Sequence, residues 1–148
     1  HPKDPGGETN LGVTKRVYEE WGGTKDMKDL LVEDVAPIYK KNYWDKVKGD
    51  DLPGGLDLCV FDFGVNAGPG RSAKYLQRMI GTTVDGGIGP NTLKKVAEYV
   101  EANGIEQSIE GFQQARQSYY EQLSTFATFG KGWTRRVNET TDLAKTMI

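Results

Sequence analysis

The run from Leu56 to Ala67 limits what this chain can fold into more than any other segment. Leu56, Leu58, Cys59, Val60, Phe61, Phe63 and Val65 leave few polar positions in it, and glycines close it off at Gly54-Gly55 and Gly68. A surface helix keeps a polar face, so a segment apolar nearly all round predicts a helix buried on every side. Other helices must therefore be wrapped around it.

The chain has enough residues to do that. Its 148 residues suit one domain, with a second small module possible but no room for two full ones. Folding at this size hides roughly 70% of the surface of the unfolded chain, so stability requires neither a disulfide nor a structural metal. A content of 36% hydrophobic and 27% charged residues is a globular balance, and a mean hydropathy of -0.60 leaves no stretch able to span a bilayer. Cys59, the one cysteine, cannot form an internal disulfide and does not indicate a compartment. His1 is the one histidine, which argues against His-based metal sites and against Ser-His or Cys-His nucleophile pairs. No metal or cofactor is expected. A net charge of -2 and a pI near 5.5 give no electrostatic footprint for nucleic acid.

Glycine pairs divide the chain into helical stretches and predict an all-α fold, with a minor β-hairpin as an option before Val13. Thr14 can cap a short helix carrying Val17, Tyr18 and Trp21, and Thr24 can cap another turn through Leu31. Helical spacing of Val35, Ile38, Tyr39, Tyr43, Trp44 and Val47 predicts a helix from about Glu33 to Val47, with Pro37 near its first turn. Pro69 to Ile80 reads as a helix stopped by Gly81, and Pro90 as the first residue of one running to about Ala102. Apolar residues from Ile105 to Phe129 predict a long penultimate helix, and a short tail is expected to be helical around Asp142 to Thr146. A division near Gly68 to Gly70 would give two lobes, 1–68 and 69–148, sharing one core.

The densest chemistry lies in His1 to Thr14, where Asp4, Glu8, Thr9 and Asn10 surround a Pro-Gly-Gly turn. On residue types alone this reads as a solvated turn. Yet Asp4-Pro5-Gly6-Gly7, Thr9-Asn10 and Gly12-Val13-Thr14 resemble the opening of glycoside hydrolase family 108, the phage endolysin-like N-acetylmuramidases. In that family E-G-G-Y precedes D-P-G-G-x-T-N-x-G-[IV]-T. Tyr39 with Tyr43-Trp44, Leu52-Pro53, Gly55-Leu56-Asp57, Phe61-Asp62, Val65-Asn66, Gly68 and Leu76-Gln77 follow in the family's order. So do Asp85-Gly86, Ile88-Gly89-Pro90 with Thr92, Phe129, Lys131-Gly132-Trp133 and Arg136-Val137, so the likeness covers nearly the whole chain.

The resemblance implies a lysozyme-like fold, a C-terminal lobe that binds peptidoglycan, and hydrolysis of the β-1,4 link between N-acetylmuramic acid and N-acetylglucosamine. That reaction uses a carboxylic acid on the leaving oxygen and usually a second carboxylate. The family's acid is the Glu of E-G-G, which would precede His1. The chain opens His-Pro-Lys-Asp with no Met, which reads as a fragment or processed product truncated ahead of that Glu, and it is expected not to cleave peptidoglycan as written. Asp4 is the expected second carboxylate, with turn capping as its plainer role. Thr9 is the hydroxyl that would orient water or Asp4, and Thr14 is a supporting cap. Asn10 is expected on the substrate. Asp62 and Asn66, four apart on the apolar helix, could anchor the catalytic loop or meet sugar; Asp62 is assigned to support and Asn66 to substrate.

Thr83 to Thr92, TVDGGIGPNT, resembles the D-G-x-x-G-P-x-T turn of small peptidoglycan-binding modules, which places Asp85 on the ligand. Tyr75 and Arg78 on the preceding helix could add contacts. Trp21, Trp44 and Trp133 fall in apolar patterns that suit core or rim packing, and Arg135-Arg136 reads as a surface basic pair. Bacterial peptidoglycan is the expected partner, with other virion proteins possible and no membrane insertion. The expected setting is the cell wall, reached through the periplasm or with a virion; the first residues lack the apolar core of a signal peptide, so the export route is unread. A wall-binding or structural virion domain that keeps the fold without the acid is the alternative. A stem-peptide amidase is disfavoured by the shortage of zinc ligands.

Overall fold

The structure, a computed structural model, describes residues 8–148. The chain divides into two compact units, His1–Asn42 and Tyr43–Ile148.

The first unit carries a two-stranded antiparallel hairpin, β1 (Thr9–Asn10) and β2 (Val13–Thr14), with Thr9 opposite Thr14 and Asn10 opposite Val13. Helix α1 (Lys15–Trp21) follows directly, and Thr14 caps it by accepting a 3.2 Å hydrogen bond from the Val17 N–H at Oγ1. A short 3-10 turn at Met27–Asp29 leads to α2 (Val32–Tyr39), which continues as a π-helical turn over Lys40–Trp44. The α-helix expected over residues 33–47 is thus shorter. Pro37 lies inside α2, where it supplies no N–H and its ring crowds the preceding turn, and Lys48, at φ 55°, stands beyond the last helical turn. Val13, Tyr18, Met27, Leu30, Val35 and Ile38 form this unit's own apolar cluster.

The second unit is built around α3 (Leu56–Ala67), which packs against α4 (Pro69–Ile80), α6 (Ile105–Glu121) and α7 (Phe126–Lys145). Leu56, Cys59, Val60 and Phe63 are fully buried in it. Entry to α3 depends on Gly55: its φ is 94°, and a Cβ there would lie 2.8 Å from both the Ala144 carbonyl and Ile109 Cδ1. Helix α4 begins with Pro69 and ends at Gly81, whose φ of 76° closes the helix in the left-handed conformation. Helix α5 (Pro90–Asn103) also opens on proline.

The C-terminal third departs from the expected pattern. One long helix was expected to reach Phe129 with a short tail after Gly132; instead α6 stops at Glu121 and α7 runs from Phe126 through both Gly130 and Gly132 to Lys145. Each helix-interior glycine costs about 1 kcal/mol relative to alanine. Aromatic packing offsets it: Trp133 stacks on Tyr120 at 5.2 Å and meets Phe129 at 5.7 Å and Phe126 at 6.5 Å between ring centroids. Packing of the helix face overrides the local propensity to stop.

Candidate functional site

Asp4, the expected second carboxylate, lies outside the described residues. Thr9 is exposed on β1, beside the turn that Leu11 and Gly12 make. Leu11 adopts φ 53° and Gly12 φ 78°. A left-handed non-glycine residue costs roughly 1–2 kcal/mol, and here the Leu11 carbonyl accepts a 2.8 Å hydrogen bond from Tyr39 Oη. Asn10 turns its amide inward, donating from Nδ2 to the Met27 carbonyl at 2.7 Å. Its nitrogen thus ties the hairpin to the next turn. The hairpin presents Thr9 to solvent and keeps Asn10 as a brace.

Three other expected contact residues come together in the second unit. Tyr75, Arg78 and Asp85 line one open groove of about 870 Å³, with Arg71, Lys74, Gly86 and Tyr119. Arg71, Lys74, Tyr75 and Arg78 fall at i, i+3, i+4 and i+7 on α4, which puts them on one face. The Arg71 guanidinium lies 4.8 Å from the Tyr119 ring centroid and donates from Nη1 to Tyr119 Oη at 2.7 Å, and Arg78 lies 5.1 Å from the Tyr75 ring.

The far wall of the groove is the Asp85-Gly86-Gly87 turn, held from behind by the fully buried Gln77. Gln77 Nε2 donates to Asp85 Oδ1 at 2.9 Å, to the Gly87 carbonyl at 3.0 Å and to Thr92 Oγ1 at 3.2 Å. Its Oε1 accepts from the Asp85 and Gly86 N–H groups at 3.0 and 2.9 Å. Asp85 Oδ1 also accepts from the Gly87 N–H at 3.0 Å. That backbone bond and the Gln77 amide hold the Asp85 carboxyl below the usual carboxylate range. Asp85 therefore builds the turn with one oxygen and brings a negative charge to the groove's edge.

Asp62 and Asn66 part company. Asn66 is exposed near the end of α3, whereas Asp62 is buried and, among the described residues, bonds to α6 and α7. Arg136 donates from Nη2 to Asp62 Oδ1 at 2.6 Å, and Thr140 Oγ1 donates to Oδ2 at 3.2 Å. Arg116, completely buried, sets Nη2 2.8 Å from Asp62 Oδ2 and donates from Nε to Tyr120 Oη at 3.0 Å. Burial alone would raise the Asp62 carboxyl; the hydrogen bonds and charges of Arg136 and Arg116 outweigh it and hold the group below its ordinary range. Arg136 is half exposed, as expected of a surface basic pair with Arg135, and its guanidinium is tied to Asp62. Burial pushes the Cys59 thiol up to about 12, so it stays protonated and inert at neutral pH.

Arg71, Lys74, Tyr119 and Arg116 were not singled out from the sequence. The i, i+3, i+7 spacing of Arg71, Lys74 and Arg78 was a usable signal. So was Arg116, which interrupts the apolar stripe Ile109, Phe112, Tyr120 of α6. Among the described residues no group of three or more His, Cys, Asp and Glu side chains could hold a metal ion, and no helix is long and apolar enough to cross a membrane.

Comparison with known families and structures bears on both units. The family described as "Glycosyl hydrolase 108" matches residues 1–68, and that described as "Predicted Peptidoglycan domain" matches residues 71–138. A solved structure titled "Structure of Brucella abortus SagA" is 40% identical, with a TM-score of 0.82 over 99% of this chain and 84% of that one. The chain belongs to glycosyl hydrolase family 108. In this family 108 chain the cations, tyrosines and carboxylate of the groove all fall within the peptidoglycan-domain match. The two matches together tie the family 108 chain to peptidoglycan and to glycosidic hydrolysis. No curated protein matches it.

Proposed function

We propose that this chain is the main part of an N-acetylmuramidase that cuts the β-1,4 link between N-acetylmuramic acid and N-acetylglucosamine, as a phage endolysin or a virion-associated lysozyme. The observation that carries this reading is the Asp4-Pro5-Gly6-Gly7 to Thr14 series, in the family's order, ending on a hairpin that keeps Thr9 exposed beside a left-handed Leu11. Asp4 serves as second carboxylate and stabilises the oxocarbenium-like transition state or activates water, while Thr9 orients that water or Asp4 itself. The acid that protonates the leaving oxygen is the Glu of an E-G-G motif preceding this loop. No E-G-G occurs in the 148 residues. Loss of such a general acid forfeits about 10²- to 10⁴-fold in rate.

The test is release of reducing sugar from purified cell walls by two proteins: the 148-residue chain, and the same chain preceded by its upstream E-G-G segment. Activity in the longer protein, lost when that Glu becomes Gln, supports the proposal; equal inactivity of both overturns it. The cationic groove favours one second reading, a wall-binding domain with no catalytic step. Under that reading both proteins bind walls and neither releases sugar.

A further inference from the structure

We infer that the groove between α4, the Asp85 turn and Tyr119 is a subsite for the carboxylate-bearing stem peptide of peptidoglycan, separate in chemistry from recognition of the glycan strand. The inference rests on peptidoglycan being the substrate and adds which part of it this groove reads.

Three observations converge on it. First, Arg71, Lys74 and Arg78 point three cations along one face, and among the described residues none of them is ion-paired with a carboxylate. An ordinary solvated helix face pairs such charges with acids three or four residues away, as Lys95 does with Glu98 at 3.5 Å. Second, each guanidinium is laid on a tyrosine ring, Arg71 on Tyr119 and Arg78 on Tyr75. Stacking holds the planar donor fork in one orientation, which suits paired hydrogen bonds to carboxylate and lowers the entropy lost on binding. Third, the facing turn is locked by a wholly buried glutamine, so an exposed loop is kept in a single shape.

The charges select among anions. Asp85 sets a carboxylate on the rim of a groove otherwise lined by cations. A polyphosphate would be repelled there, whereas a peptide bearing both carboxylates and an amine meets opposite charge at both kinds of position. Glycan hydroxyls and acetamides carry no charge to match either.

Titration calorimetry of the 148-residue chain tests this with three probes: a disaccharide-tetrapeptide muropeptide, the same disaccharide without peptide and with its lactyl carboxyl capped as an amide, and inorganic phosphate. The muropeptide is expected to bind, and Arg71→Gln and Arg78→Gln are each expected to weaken it about 10-fold, the loss typical of one charge-assisted hydrogen-bonding group. Arg71→Lys, which keeps charge without the fork, should recover only part of that loss. Equal binding of the peptide-free disaccharide, unchanged affinity in the Arg71→Gln/Arg78→Gln double variant, or competition by phosphate at the concentration of muropeptide would each overturn the subsite. Reducing-sugar release is read separately, on the chain preceded by its upstream E-G-G segment: walls cut by that protein without muropeptide binding sink the subsite alone, and muropeptide bound by it without cutting sinks the hydrolase reading alone.

Discussion

Asp62 and Arg136 are 74 residues apart in sequence, yet Arg136 Nε and Nη2 both donate to the Asp62 carboxylate, the shorter bond at 2.6 Å. Behind that pair lies Arg116, fully buried, its Nη2 2.8 Å from the other carboxylate oxygen. One carboxylate thus joins the central helix to both C-terminal helices. Asp62→Asn removes the only charge that compensates Arg116 among the described residues, and breaking such a buried pair from one side costs about 3–5 kcal/mol. Arg136 is half exposed, so Arg136→Gln should cost about 1 kcal/mol or less. Urea unfolding of the two variants checks the order; equal losses would show that Arg116 does not depend on Asp62.

The same carboxylate gives stability a direction in pH. Because its folded pKa is lowered by Arg136 and Arg116 against the cost of burial, its contribution is complete above the unfolded value of about 3.9 and is lost as pH falls through the lower folded value. Melting temperature should hold from neutrality to about pH 4 and then drop as the folded pKa is approached. Asp62→Asn should start lower and lose less over the acid range. A variant with an unaltered acid slope would remove Asp62 as the cause.

Gln77 is the brace of the groove's far wall. Gln77→Glu replaces the amide that donates to Asp85 Oδ1, Gly87 and Thr92 by a carboxylate facing Asp85. Losing these bonds in a buried site should cost about 1–3 kcal/mol or more. Amide exchange at Gly86 and Gly87 should accelerate ahead of the rest of the protein. Uniform acceleration everywhere would mean that the turn is not a separately held element.

Glycines in α7 offer a test by sign. A Cβ at Gly130 would come within 2.6 Å of the Phe126 ring, while one at Gly132 meets nothing within 4 Å. Gly132→Ala should stabilise by about 0.5–1 kcal/mol through helix propensity. Gly130→Ala should destabilise, since Phe126 must leave its place beside Trp133. Paired thermal melts give the comparison, and stabilisation by both changes would refute the packing explanation of α7.

That helix also shows where sequence reading reaches its limit. Helices α3 and α4 were legible to the residue because apolar pattern, proline and glycine agree at both ends. Helix α7 was not, because Gly130 and Gly132 signal a stop and the aromatic packing that overrides them involves Tyr120, ten or more residues earlier. The Asp4 to Thr14 motif and the Asp85 turn were visible as local strings. The partners of Asp62 were not, because pairing across 54 or 74 residues leaves no local pattern to read. Asn10 illustrates a second limit: the family resemblance places it on the substrate, and only geometry shows that its amide nitrogen is bonded to the Met27 carbonyl.

The bond that is cut separates a muramidase from other wall hydrolases. Mass spectrometry of the soluble products released from purified walls by the chain with its upstream E-G-G segment decides it. A muramidase leaves N-acetylmuramic acid at the reducing end of each fragment, and that is the expected product. Reducing-end N-acetylglucosamine, or freed amines on intact glycan, would contradict muramidase activity.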